Sequence, residues 1–242
     1  MTDILGVSEP LRAEGFAVRV GKDVLQWLGT TSSDWKNFAV SWDDLPIDTY
    51  MADGGRYRRR RYAVFEITDG EICRAAHQPH YQSKLYNRLN GDLERWFDPI
   101  ATAIGANPIL QSLLKNLAEL FGQQCAGHAT SDVWHAEVHQ FRIEATDGGQ
   151  GQPTPEGAHR DGVDYAFVMM VRRRNVSSGV TQIFDSNGRP LGAFTLADPG
   201  DAVFLDDHRI FHGVTPIAPL DPTEKASRDV LVLTFTRARP AG

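Results

Sequence analysis

The stretch VWHAEVHQFRIEA, residues 133–145, alternates apolar and polar side chains along its length, the period-two pattern of a half-buried β-strand. The residues after it decide the fold. YAFVMMVRR, VTQIFD, LGAFTL, DAVFLDD, IFHGVTPI and DVLVLTF are short apolar runs separated by NG, DPG and Pro-rich turns, with no helical periodicity between them. Such a succession indicates an antiparallel sandwich or barrel, not alternating β and α units.

Upstream the pattern is more helical. Asn107 and Pro108 offer an N-cap and a first-turn proline; Ile109, Leu110, Leu113, Leu114, Leu117, Leu120 and Phe121 follow at helical spacing as far as Gly122. That stripe predicts a helix that seals a sheet and carries no chemistry. DVLQWL predicts a helical turn or two, TTSSDWKNFAVSWDDLPID short helix and loop, and GFAVRV and RYRRRRYAVFEIT strands. The expected organisation is a single domain over residues 1–242. Residues 1–130 form a mixed helical and strand support, and residues 131–238 form the β core.

A chain of 242 residues can bury roughly 70 % of its unfolded surface, so folding needs no disulfide or metal staple. The 41 % hydrophobic and 23 % charged composition excludes disorder, collagen and coiled coil. A formal charge of −6 argues against a generic nucleic-acid binder. Cys73 and Cys125 lie far apart without a CxxC partner, which favours a reducing compartment. The opening MTDILGVSEPLRAEG has no signal pattern, and no apolar run approaches the ~20 residues of a membrane span. A cytoplasmic location is expected.

The chemistry concentrates in PTPEGAHRDGVDYAF. His159 and Asp161 are one residue apart just before a strand, so an extended step points both side chains to one face. His212, in FLDDHRIFHGV, supplies a second imidazole from another strand. Two histidines and one carboxylate on one face of an octahedral ion make the triad of non-haem Fe(II) oxygenases, with open positions for a keto-acid and O₂. His208 competes with His212 as ligand, but Ile210 and Phe211 carry strand texture up to His212, whereas DDH reads as a turn. Asp206 and Asp207 are expected in that turn or beside a ligand histidine. Arg228 opens the final strand, and its planar fork suits a distal carboxylate; the alternative is a salt bridge with Asp229.

His135, Glu137 and His139 share one face of the 133–145 strand. They could suggest a different metal centre, though lining of a substrate pocket or packing suits them better. Arg142 falls on the opposite face. The basic runs Arg58–Arg61 and Arg172–Arg174 lack the aromatic interleaving of a nucleic-acid platform, so a solvated face or contacts to a substrate carboxylate explain them better. DGGQGQPTPEG, residues 147–157, lacks the GK[S/T] ending of a phosphate loop and is placed to be a lid.

The chain resembles the bacterial 2-oxoglutarate/Fe(II) dioxygenases that hydroxylate free amino acids, typified by L-isoleucine dioxygenase. The resemblance rests on VHQFRIEA, PEGAHRDGVDYAFVMMVRRRN, GDAVFLDD, HGVTPI and RDVLVLTF, and more weakly on HQPHYQSKLYNRLNGDLERWFDP. It implies a double-stranded β-helix (jelly-roll, cupin-like) core flanked by helices. It further implies Fe(II) on His159, Asp161 and His212, and 2-oxoglutarate anchored by Arg228. The implied reaction hydroxylates an sp³ carbon of a free L-amino acid and releases succinate and CO₂, with ascorbate as the reductant in vitro. The carboxylate at Asp161 excludes the halogenating variant, which needs a small residue there. Where such proteins tend to have N-x-x-G-G, this chain has NVSSGV, with Ser178 in place of the first glycine near the expected pocket.

An amino acid would need an arginine for its carboxylate and an acid for its ammonium; the candidates are Glu137, Arg142, Asp164 and Arg174. The alternatives are a cyclic amino acid such as pipecolate or proline, another small metabolite, a non-oxidative cupin-type metalloenzyme, or a non-enzymatic β-barrel binding module. Neither a nucleic-acid nor a membrane partner is expected.

Overall fold

Alternation along the strands lets one sheet present two different faces, and that sheet organises the molecule. The computed structural model describes residues 3, 5–87, 89, 91–125, 133–146 and 149–238. Asp147 and Gly148 of the expected lid lie outside the described residues. In chain order the first strands are β1 (Phe16–Arg19), β2 (Arg58–Thr68), β3 (Glu71–Arg74), β4 (Val133–Ala145), β5 (Tyr165–Arg174) and β6 (Val176–Ser178). They are followed by β7 (Thr181–Asp185), β8 (Pro190–Phe194), β9 (Ala202–Asp206), β10 (Ile210–Val214), β11 (Ile217–Pro219) and β12 (Ala226–Arg237). The helices are α1 (Ser8–Glu14), α2 (Gly21–Trp27), α3 (Ser32–Ala39), α4 (Thr102–Gly105) and α5 (Pro108–Gly122).

The large sheet has seven strands in the order β1-β9-β5-β12-β4-β2-β3, paired antiparallel throughout. A second sheet, β10-β7-β8, lies over part of one face: Ile183 and Ile210 pack there on Ala166, Met170, Val203 and Leu205. A short β11-β6 ladder completes the strands. This is the expected jelly-roll core. The expected boundary at residue 130 is not a boundary of the sheet, since β1, β2 and β3 supply three of its seven strands.

The other face of the large sheet is sealed by helices. Asn107 caps α5 by accepting from the Ile109 amide, and Pro108 opens it, as the sequence predicts. Its Leu110, Leu113, Leu114, Leu117 and Phe121 pack against Phe65, Ala136, Val138, Leu233 and Phe235 in one apolar cluster. α3 begins with a capping box between Thr31 and Asp34. Phe121 stacks on Tyr165 with ring centroids 4.6 Å apart and meets Phe235 edge-on at 5.2 Å. Phe121→Ala is expected to cost about 3–5 kcal/mol of stability. Melting should fall by roughly 6–20 °C in a thermal scan; an unchanged melting temperature would deny α5 its sealing role.

Candidate active site

Strand register arranges one wall of the site. On β4 the side chains of His135, Glu137, His139, Phe141 and Ile143 face away from the helices, into a cavity of about 450 Å³. Cross-strand partners share a face. Arg58 on β2, Ile143 on β4 and Arg228 on β12 therefore form one row, and Tyr62, His139 and Val232 another. The same alternation divides the Arg58–Arg61 run. Arg58 and Arg60 are buried and line the cavity, whereas Arg59 turns outward to Glu144 and Arg61 to Asp44 and Asp98.

The opposite wall carries His159, Asp161 and His212. His212 is on β10, and His159 joins it through an antiparallel bridge with both N–H···O distances 2.9 Å. The extended step to Asp161 brings its carboxylate between the two rings: Oδ1 lies 3.6 Å from His159 Nε2 and Oδ2 lies 3.7 Å from His212 Nε2. These are too long for good hydrogen bonds but suit three groups converging on one point. His159 Nδ1 lies 3.1 Å from the Gly157 carbonyl, which can only accept. A hydrogen therefore sits on Nδ1, and Nε2 is the ring atom that faces Asp161. His212 Nδ1 is buried without a partner.

Charge couples these groups. Burial opposes ionisation of His159, but Asp161 outweighs it and holds the imidazole up at about 9. His212 is pushed down to about 4 by burial and by its neighbour His159. Asp207 lies in the turn after β9, one of its two expected places, and fixes the backbone of the carboxylate: it accepts from the amides of Asp161 at 2.9 Å, Gly162 at 2.7 Å and Val163 at 3.1 Å. Burial and the Asp161 carboxylate push Asp207 up to about 6. His208 points to the surface and pairs with Asp164 at 2.8 Å.

His80, Glu137 and His139 form a second group with two histidines and a carboxylate, its donor atoms within 4.8 Å of one another, as in the first. By composition it too is consistent with Fe(II). Its hydrogen bonds differ. Arg60 Nη2 lies 2.6 Å from His139 Nδ1, and a guanidinium can only donate. His139, pushed down to about 3 chiefly by burial, is neutral, so its hydrogen sits on Nε2, toward Glu137 at 3.7 Å. Nδ1 is thereby committed to Arg60, and Nε2 carries the ring hydrogen. Glu137 Oε1 also accepts from Tyr62 at 2.5 Å. Despite its burial, His139 and His80 hold the Glu137 carboxyl well below the usual range.

Arg228 is 2 % exposed, and its Nε and Nη2 have no hydrogen-bond partner among the described residues. Asp229 is on the opposite face, bound to Arg142 at 2.7 Å and to Arg172 at 3.0 Å. Burial and Arg173 push Arg228 down to about 10, so it remains a cation at neutral pH. A buried cation with free N–H groups in a cavity calls for an anion.

Of the substrate contacts expected from sequence, the structure brings only Glu137 to the cavity. Arg142 is tied to Asp229 and Asp43 behind the sheet, because odd and even residues of β4 face opposite sides. Asp164 is held by His208 and the Arg237 amide, and Arg174 is exposed at the end of β5. Ser178 does not line the cavity either; it takes the glycine-like φ of 55° and donates to the Pro216 carbonyl at 2.6 Å. Pro153, Thr154 and Glu156 of the expected lid form part of the cavity wall, with Gly151 bridged to Ile217. His80 and Arg95, paired through their backbones at 3.0 Å, are site residues that periodicity does not reveal.

A family described as 2OG-Fe dioxygenase matches residues 39–234. The chain belongs to that family. This dioxygenase is 26 % identical over 198 residues to 3(1)-hydroxy-L-isoleucine 4-dioxygenase of Pantoea ananatis, covering 81 % of this chain and 78 % of that one. It is 27 % identical over 158 residues to L-isoleucine-4-hydroxylase of Bacillus thuringiensis, or 65 % of each chain. The crystal structure of a bsmA homolog from Methylobium petroleophilum PM1 superposes with a TM-score of 0.87 at 38 % identity, covering 97 % of this chain and 94 % of that one. The protein is thus a 2-oxoglutarate- and Fe(II)-dependent dioxygenase that hydroxylates a small organic substrate. No helix among the described residues is long and apolar enough to cross a membrane.

Proposed function

We propose that His159, Asp161 and His212 hold the Fe(II), that Arg228 takes the distal carboxylate of 2-oxoglutarate, and that the substrate is a free L-amino acid. The tautomers carry the choice between the two histidine–carboxylate groups. In His159 the Nδ1–H is held by Gly157, which leaves Nε2, facing Asp161, as the atom that would bind the metal. His139 has no lone pair to offer, because Arg60 fills the one at Nδ1 and the hydrogen sits on Nε2. Each group has one carboxylate, but only His139 has a guanidinium against its ring, and that charge repels a cation.

Iron with bound 2-oxoglutarate supplies the oxidation of an unactivated C–H bond by O₂, yielding hydroxylated product, succinate and CO₂. This chain's residues hold and orient. Asp207 fixes the loop that aims Asp161. Glu137 is the carboxylate for the substrate ammonium: Tyr62 occupies Oε1 at 2.5 Å, whereas Oε2 has longer contacts, to His80 at 3.3 Å, Thr234 at 3.4 Å and His139 at 3.7 Å. The isoleucine-type substrates in the names of two relatives support the amino-acid reading.

Asp207→Ala is expected to weaken Fe(II) binding by about 10–100-fold, since the loop carrying Asp161 loses its anchor. Calorimetric titration under anaerobic conditions measures this, and wild-type affinity would contradict it. The functional test is product analysis by mass spectrometry with Fe(II), ascorbate and 2-oxoglutarate, over the proteinogenic amino acids and pipecolate. One added oxygen on an amino acid, absent without 2-oxoglutarate and in Asp161→Ala, is the expected result. Succinate formation driven only by substrates that are not amino acids would overturn the substrate assignment.

A further inference from the structure

The cavity holds more unpartnered guanidinium donors than one anchor for 2-oxoglutarate accounts for. At the β2 side, Arg58, Arg60 and Arg95 are 6 %, 3 % and 2 % exposed. Their guanidinium groups gather about two rings: Arg60 lies 3.7 Å from the centroid of Phe97 and 4.4 Å from that of Phe141, Arg58 5.9 Å from Phe141, and Arg95 5.8 Å from Phe97. Three carboxylates face these three cations: Asp48, Glu137 and, across the cavity from Arg95, Glu156. Asp48 accepts from Arg58 Nε at 2.7 Å and from the Tyr50 amide at 2.8 Å. Glu137 accepts from Tyr62 and faces both histidines, which burial keeps neutral. Among the described residues, Arg58 Nη2 and Arg95 Nε and Nη2 are buried without any hydrogen-bond partner. Unmade bonds on buried charged donors are costly, so a native protein keeps them where a ligand completes them.

We propose that Arg58 and Arg95 form a second carboxylate clamp, which binds the carboxylate of the substrate while Arg228 binds 2-oxoglutarate. The inference rests on the assignment of Arg228 made above. Register separates the clamps: Arg58 and Arg228 share a row with one strand between them, about 10 Å apart at ordinary strand spacing. Each guanidinium can therefore take its own anion. The clamp lies near Glu137, so a zwitterion finds cation and carboxylate in the same part of the cavity. Arg60 is a positioning residue here, since its Nη2 is spent on His139.

The test uses the full chain, loaded anaerobically with Fe(II) and saturating 2-oxoglutarate, and reads binding by calorimetry and thermal shift. The probes are the proteinogenic L-amino acids and pipecolate, each beside its carboxamide, and isobutyrate as a carboxylate without ammonium. At least one acid is expected to bind and its carboxamide not to. Arg95→Met should weaken that acid by at least about 30-fold, with 2-oxoglutarate affinity within about threefold of wild type. Ligand-free Arg95→Met should melt no lower than wild type, because methionine replaces a buried cation whose Nε and Nη2 make no hydrogen bond. Arg58→Met provides the second variant. Equal binding of acid and amide, wild-type affinity in both variants, or no binding of any probe overturns the clamp. Loss of 2-oxoglutarate binding in Arg95→Met would instead overturn the assignment of Arg228, and binding of isobutyrate without any amino acid would overturn the amino-acid reading alone.

Discussion

Asp161→Ala protein is expected to bind Fe(II) more than about 100-fold more weakly than wild type and to show no 2-oxoglutarate turnover. Losing a hydrogen-bond partner of a ligand already costs about 10–100-fold in metal affinity, and Asp161 is the sole charged donor of its group. Its removal leaves the Nε2 atoms of His159 and His212 with no anion between them. Glu137→Gln is the informative comparison. It removes the charge from the other histidine–carboxylate group while leaving His159, Asp161 and His212 untouched, so Fe(II) affinity should stay near that of wild type. Anaerobic calorimetry on both variants gives the answer. The reverse pattern, with metal lost in Glu137→Gln and kept in Asp161→Ala, would place iron at His80, Glu137 and His139.

Arg228→Met should lose 2-oxoglutarate affinity by about 30- to 4,000-fold, the range for removing one partner of a buried, hydrogen-bonded charge pair. The ligand-free protein should respond in the opposite sense. Arg228 Nε and Nη2 have no partner among the described residues, and Asp229 faces away toward Arg142 and Arg172. An apolar side chain of similar length therefore relieves a buried charge, and the melting temperature should hold or rise. Arg228→Lys keeps charge but not the planar fork and should recover only part of the affinity. A fall in melting temperature with 2-oxoglutarate affinity intact would make Arg228 a structural residue.

Local pattern carried a large part of this structure. The period-two runs after residue 130 and the Asn107–Gly122 stripe are each decided by short-range rules of strand and helix, and both elements form where those rules put them. His159, Asp161 and His212 were legible as a group because two of them share one extended step and the third ends a strand run. Other features depend on what the far side of the sheet meets. The alternation of β4 assigns Glu137 and Arg142 to opposite faces, but only the packing of α5 says which face is the cavity. The Arg58–Arg61 run is a uniform basic tract until the large sheet turns alternate members inward. His80 and Arg95 sit in a segment without periodicity, brought together by a backbone bridge that no local rule predicts. Ser178 holds a positive φ through its bond to Pro216, a compensation invisible in NVSSGV.

The location of the metal is the point on which the account depends, and an anomalous-difference map at the iron edge tests it most directly. Crystals of the full chain would be loaded anaerobically with Fe(II) and 2-oxoglutarate. A single strong peak among His159 Nε2, Asp161 and His212 Nε2, with density for 2-oxoglutarate reaching Arg228, is the predicted result. A peak among His80, Glu137 and His139 would contradict it.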